Sequence, residues 1–126
     1  MTELAKGLFI NLSSADFFHI RKAFKLGTMV RKNHKLPVTV YMNLGAVRFA
    51  NKGLPLASAE HVKIHDTSIH ELMTTFVKAG GSIVVCPMRL KGEGLTNNDL
   101  LEGIKVADND AILTLMLEKS VKIISF

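Results

Sequence analysis

From Lys6 to Leu12 the chain is short, apolar and rich in strand formers, and it breaks at Ser13-Ser14, which predicts a core strand and a turn. Between Asp16 and Lys32 the positions Phe17, Ile20, Phe24, Gly27 and Val30 recur at three and four residues, while Arg21, Lys22, Lys25 and Lys32 fall elsewhere. That spacing predicts an amphipathic helix with Ser13 or Ser14 as its cap. Leu36 to Met42 reads as a second strand, with Pro37 tolerated at its start, and Asn43-Leu44-Gly45 turns the chain. Ala46 to Asp66 is less periodic, with a short helical turn over Val47 to Asn51 and an irregular link through Gly53 and Pro55. Ser68-Ile69-His70-Glu71 has capping-box spacing and opens a helix to Ala79, which Gly80 closes in a left-handed conformation. The apolar run Ser82 to Cys86 is a third strand. Beyond Pro87 the pattern predicts a loop over Met88 to Thr96, then a short helix capped by Asn97 or Asn98 and running through Glu102. A helix over Asn109 to Glu118 capped by Asp108 follows, and a last strand over Val121 to Phe126. Strands alternating with helices predict one α/β domain spanning 1–126, with a mostly parallel sheet, helices on both faces and right-handed crossovers.

Composition narrows the function classes. Lys and Arg outnumber Asp and Glu by 16 to 11, a net charge of +5 that suits an acidic partner or plain solubility. Aromatic residues make up 6% with no tryptophan, and no known nucleic-acid motif accompanies the basic helix face, so nucleic acid is not an expected partner. Neither GxGxxG nor a Walker A sequence is present, and no cofactor is expected. No apolar run nears the ~20 residues that span a bilayer and no signal-type apolar stretch opens the chain, so the expected location is the cytoplasm, away from membranes. One cysteine excludes an intrachain disulfide, a CxxC pair and a Cys-rich zinc site. His61, His65 and His70 with Asp66 and Glu71 are the one concentration of metal-ligand types, but Val62 and Ile64 argue against the helix that would align the first two, and no metal is predicted.

In a parallel sheet, reacting groups gather beyond the carboxyl ends of the strands. The segments reaching that edge are Asn11 to Ser14, Met42 to Gly45 and Cys86 to Lys91, which makes Asn11, Ser13, Ser14 and Asn43 pocket candidates. No GxSxG surrounds the serines, so capping explains them better than nucleophilic catalysis. Pro87 takes the chain out of the sheet directly after Cys86. A thiol reacts as thiolate, and Arg89 and Lys91 are cations suited to stabilise one. The spacing itself leaves two readings of Cys86 open, a working thiol and a buried spacer.

The run Gly81 to Cys86, followed by Gly94-Leu95, by Asp99 to Ile104 and by Val121 to Phe126, resembles the DsrE/DsrF-like sulfur-relay family. The opening strand and the Gly45 to Gly53 segment are similar too, so the likeness covers most of the chain. The resemblance implies a sheet of about five strands, assembly as a homo-oligomer such as a trimer or hexamer, and partners that are sulfur-donor and sulfur-acceptor proteins. It also implies sulfurtransferase chemistry in which Cys86 carries sulfane sulfur as a persulfide, aided by Arg89 or Lys91. With no second cysteine, an internal disulfide-linked step lacks its partner. The rival expectation is a non-catalytic oligomeric α/β ligand-binding or interaction protein with a structural Cys86.

Overall fold

The computed structural model describes residues 3–58 and 67–126. Strand β1 (Gly7–Leu12) leads into α1 (Phe17–His34), β2 (Val38–Met42), a 3-10 helix (Leu44–Ala50) and the single turn α2 (Pro55–Ser58). After the undescribed stretch come α3 (Ile69–Lys78), β3 (Ser82–Val85), α4 (Pro87–Gly92), a 3-10 turn (Asn97–Asp99), β4 (Ile104–Val106), α5 (Asn109–Leu117) and β5 (Val121–Ser125). Among the described residues no helix is long and apolar enough to cross a membrane.

The strands form one five-stranded sheet in the order β4-β3-β2-β1-β5, and every pairing is parallel. The chain steps outward from β1 to β4 and then crosses back to place β5 on the free side of β1. Strand alternation divides the core in two. Ile10, Leu12, Val40, Met42, Ile83 and Val85 belong to the larger apolar cluster with Ile20, Phe24, Met73 and Phe76 of α1 and α3. Phe9, Tyr41 and Val84 belong to a smaller one with Ile112 and Leu115 of α5 on the opposite face. The predicted α/β sheet with helices on both faces is therefore the observed architecture.

Local details depart from the pattern in four places. The cap of α1 is Asp16, whose carboxylate accepts from the Phe18 and His19 amides at 2.8 and 3.2 Å, because a carboxylate two residues nearer the helix outcompetes Ser13 and Ser14. Arg21, placed by spacing on the polar face, is buried instead, and its guanidinium donates to the Thr67 carbonyl (2.8 Å) and hydroxyl (3.1 Å). The segment after Pro87 is helix rather than loop, since proline's fixed φ suits the first helical position and its missing N–H is no loss there. Downstream, Thr96 caps a 3-10 turn that ends at Asp99, and Ile104–Val106 forms the edge strand β4 that three residues could not announce by periodicity. Ser68 caps α3 as expected, accepting from the Glu71 amide at 3.1 Å, and Gly80 takes φ +97°.

Candidate functional site

Cys86 stands where β3 becomes α4. Its N–H donates to the Met42 carbonyl (2.9 Å), adding one rung beyond the β2–β3 ladder, and its carbonyl accepts from the Leu90 amide (3.0 Å) as the first bond of the helix. It thus lies between the end of a strand and the start of a helix, as the N-cap of that helix, in extended conformation with φ −63° and ψ 122°. Pro87 follows at the first helical position, so the turn out of the sheet needs no loop. The thiol is partly exposed. Alternation from Val85 places Cys86 on the α5 side of the sheet, with Val84 and Tyr41.

The surroundings favour the thiolate. Burial pushes the Cys86 thiol up, but the Arg89 amide, the Tyr41 hydroxyl and the Met88 amide together outweigh it and bring it below its ordinary value. A sulfur at an N-cap makes no bond of ordinary side-chain capping geometry; the two amides act on it as nearby oriented dipoles. Tyr41 shows the reciprocal effect. Its hydroxyl is pushed up to about 12 by burial, by its hydrogen bond to Cys86 and by the charge of the thiolate it faces.

The expected cations act differently from their formal charge. The Arg89 guanidinium binds Glu93, with Nη2 at 2.8 Å and Nε at 3.1 Å, and Arg48 lies 3.7 Å from the same carboxylate oxygen. Arg89 meets the sulfur through its main-chain N–H. Lys91 is exposed on α4, and its ammonium makes no ion pair among the described residues. Two large apolar side chains stand at this edge: Met88, 81% exposed, and Leu44, 59% exposed with a left-handed φ of +48°.

The pocket candidates lie along the same carboxyl edge, and each is already hydrogen-bonded within the chain. Asn43 Nδ2 donates to Asn11 Oδ1 at 2.6 Å, and Asn11 Nδ2 donates to Ser125 Oγ at 3.5 Å. Ser13 Oγ donates to the Phe126 carbonyl (3.2 Å), while Ser14 Oγ pairs with His19 Nδ1 (2.8 Å) and accepts from the Asp16 amide (3.0 Å). These contacts knit β1, β2 and β5 together beside Cys86. His61, His65 and Asp66 lie outside the described residues; His70 is buried and binds the Phe49 carbonyl through Nε2 at 2.9 Å. Among the described residues no group of three or more His, Cys, Asp or Glu could hold a metal. A groove of about 520 Å³ on the polar side of α3, lined by Lys52, His70 and Lys78, does not include Cys86.

Sequence reading missed Tyr41. The alternation of Val38, Val40 and Met42 does put Tyr41 on the opposite face, but its nearness to residue 86 depends on a register that pairs Tyr41 with Val84. A single sequence does not carry that register.

Fold and site together define a small all-parallel α/β domain presenting one partly exposed thiol at the carboxyl edge of its sheet. The model of the DsrE/DsrF-like family matches residues 6–126, and the chain belongs to that family, which is associated with sulfur relay. Solved structures share the fold. The ychN protein from E. coli superposes with a TM-score of 0.73 at 14% identity, covering 96% of this chain and 99% of that one. A protein of unknown function from Methanobacterium thermoautotrophicum, MTH1491, gives 0.70 at 12% identity, with 94% and 97% covered. Another from Bacteroides thetaiotaomicron, BT1422, gives 0.68 at 13%, with 96% and 95% covered. No curated protein matches the chain.

Proposed function

We propose that this protein is a cytoplasmic sulfur carrier that holds sulfane sulfur as a persulfide on Cys86 and passes it between a donor and an acceptor protein. The observation that carries the reading is the environment of one sulfur atom: partly exposed, with the Met88 and Arg89 amides and the Tyr41 hydroxyl favouring its anion. In the first step the Cys86 thiolate attacks the terminal sulfur of a donor persulfide, forming a new S–S bond and releasing the donor thiolate. In the second, an acceptor thiolate attacks the terminal sulfur now on Cys86, and the electron pair of the broken bond returns to Sγ. No net oxidation occurs and no cofactor enters. Arg89 serves through its amide, and Lys91 adds positive potential from the exposed side of α4. The Asn11–Asn43 pair with Ser13 and Ser14 frames the entrance.

The same reading makes the protein a homo-oligomer. Leu113 and Leu117 on α5, with Ile123 on β5, leave an exposed apolar surface on the sheet face that α5 covers. Such surface suits burial against another copy.

The test is the intact mass of the protein after exposure to glutathione persulfide. The wild type gains one sulfur atom, and Cys86→Ser gains none. Equal labelling of the two chains removes the mechanism. Alkylation by iodoacetamide against pH gives a second measure, with a midpoint below that of a free cysteine.

A further inference from the structure

A persulfide has two electrophilic sulfurs, and a carrier must have the outer one attacked. Attack on the outer sulfur of Cys86–Sγ–SH by an acceptor thiolate forms the acceptor persulfide, breaks the Sγ–S bond and returns the electron pair to Sγ; the outer sulfur keeps its proton. Attack on Sγ instead joins the acceptor to Cys86 as a mixed disulfide and expels hydrosulfide, so the cargo is lost. Both routes are balanced without an added oxidant or reductant. They differ in where the negative charge ends.

We propose that Tyr41 is a catalytic residue that directs attack to the outer sulfur, its hydroxyl donating to Sγ as charge returns there. The inference rests on the carrier reading. Its geometry is that of the sheet: Tyr41 pairs with Val84, and the Cys86 N–H bonds the carbonyl of Met42, the residue after Tyr41. Alternation sets Tyr41, Val84 and Cys86 on the same side. The phenol ring is fixed from behind by Phe9, with centroids 6.1 Å apart. Sγ keeps its place when a second sulfur is added, so a hydroxyl held on the same sheet face by the β2–β3 register stands beside that atom when it becomes the leaving thiolate. On the rival route the charge departs on hydrosulfide, and the hydroxyl contributes little to it. The raised proton affinity of Tyr41 keeps it a donor throughout the neutral range.

Tyr41 is the single tyrosine of the chain, which allows two perturbations of opposite sign. Tyr41→Phe removes the donor and keeps the ring. Biosynthetic 3-fluorotyrosine changes this hydroxyl only and makes it a stronger donor. Each chain is loaded with glutathione persulfide, checked by mass, and mixed with limiting N-acetylcysteine for a single turnover quenched with acid. The readout is the ratio of N-acetylcysteine persulfide, trapped by iodoacetamide, to the mixed disulfide on Cys86. Loss of one hydrogen bond to a charged sulfur should lower that ratio roughly tenfold in Tyr41→Phe; fluorotyrosine should raise it. The alkylation midpoint of Cys86 should also move up in the phenylalanine variant and down in the fluorinated protein. Loaded chains that partition alike overturn the role of Tyr41 and leave the carrier reading standing. A wild type that never gains the sulfur sinks both.

Discussion

Replacing Gly81 with alanine should destabilise the protein by about 3 kcal/mol, although the site is a single methyl group near the start of β3. A Cβ built on Gly81 would lie 2.2, 2.3 and 2.5 Å from three carbons of the Phe76 ring. Carbon atoms in contact prefer about 3.5–4.0 Å, so the ring would have to retreat by more than an ångström. It has nowhere to go. Phe76 is fully buried and meets Phe24 edge to face with centroids 5.7 Å apart. On the α1 side it lies against Gly27, where an added Cβ would already be 2.8 Å from the same ring. Overpacking typically costs about 1–3 kcal/mol and occasionally more, and three ring atoms at 2.2, 2.3 and 2.5 Å put the gross cost of Gly81→Ala somewhat above that range, at about 4 kcal/mol. The reduced freedom of the unfolded chain offsets only about 0.4–1 kcal/mol. At roughly 4 °C per kcal/mol for a domain of this size, the midpoint of thermal unfolding should fall by about 12 °C. Urea unfolding followed by circular dichroism gives the free energy directly, and the same substitution in a Phe76→Leu background isolates the contact. There the cost should drop below about 1 kcal/mol, a coupling of about 2 kcal/mol. A Gly81→Ala chain within about 0.5 kcal/mol of wild type, or an equal cost in both backgrounds, would refute the packing argument.

Two further perturbations test separate parts of the structure. Burial pushes His70 below its ordinary value of 6.5, the Phe49 carbonyl opposing in part, so below about that pH the unfolded chain takes up a proton that the folded chain refuses. Stability from this residue is full above the unfolded value and declines as the pH falls toward the folded one; His70→Gln keeps an N–H for the carbonyl and should remove that decline, and parallel stability–pH curves for the two chains would count against it. For assembly, Leu117 is 81% exposed at the end of α5, and Leu117→Glu should lower the molar mass seen by light scattering; a monomeric wild type, or an unchanged mass in the variant, would reject the α5 face as the interface.

Most of the fold was legible because most of it follows one rule at a time. The strands β1, β2, β3 and β5 are short runs dominated by apolar and β-branched residues, β5 the more exposed edge of them, and the helices α1, α3 and α5 each carry a cap. The misses are places where two rules compete. Ser13, Ser14 and Asp16 are all good caps, and the choice among them turns on which side chain reaches the free amides, a matter of backbone path. Pro87 predicts a break as readily as a helix start, and the six-residue α4 shows no amphipathic period to decide it. Strand β4 is three residues long with two of them exposed, and it exists because Val85 offers a neighbour's edge rather than because Ile104-Lys105-Val106 demands one.

The placement of Cys86 in the candidate site was legible in the sequence, and what surrounds it was not, for a physical reason. Cys86 announces itself by chain order: an apolar run, a cysteine and a proline mark a residue that leaves a sheet at its carboxyl end. Its helpers were sought among cations, because charge is visible in a sequence, yet the Arg89 guanidinium is spent on Glu93 and the sulfur is served by two amides and a phenol. Amide direction belongs to the helix start that Pro87 sets, and the phenol is delivered by the β2–β3 register. This arrangement also suits a carrier better than an ionic one would. In the proposed relay, a lysine or arginine at contact distance would hold a persulfide anion tightly and resist its departure, whereas neutral donors near Sγ would favour the charge where it returns once the outer sulfur has gone.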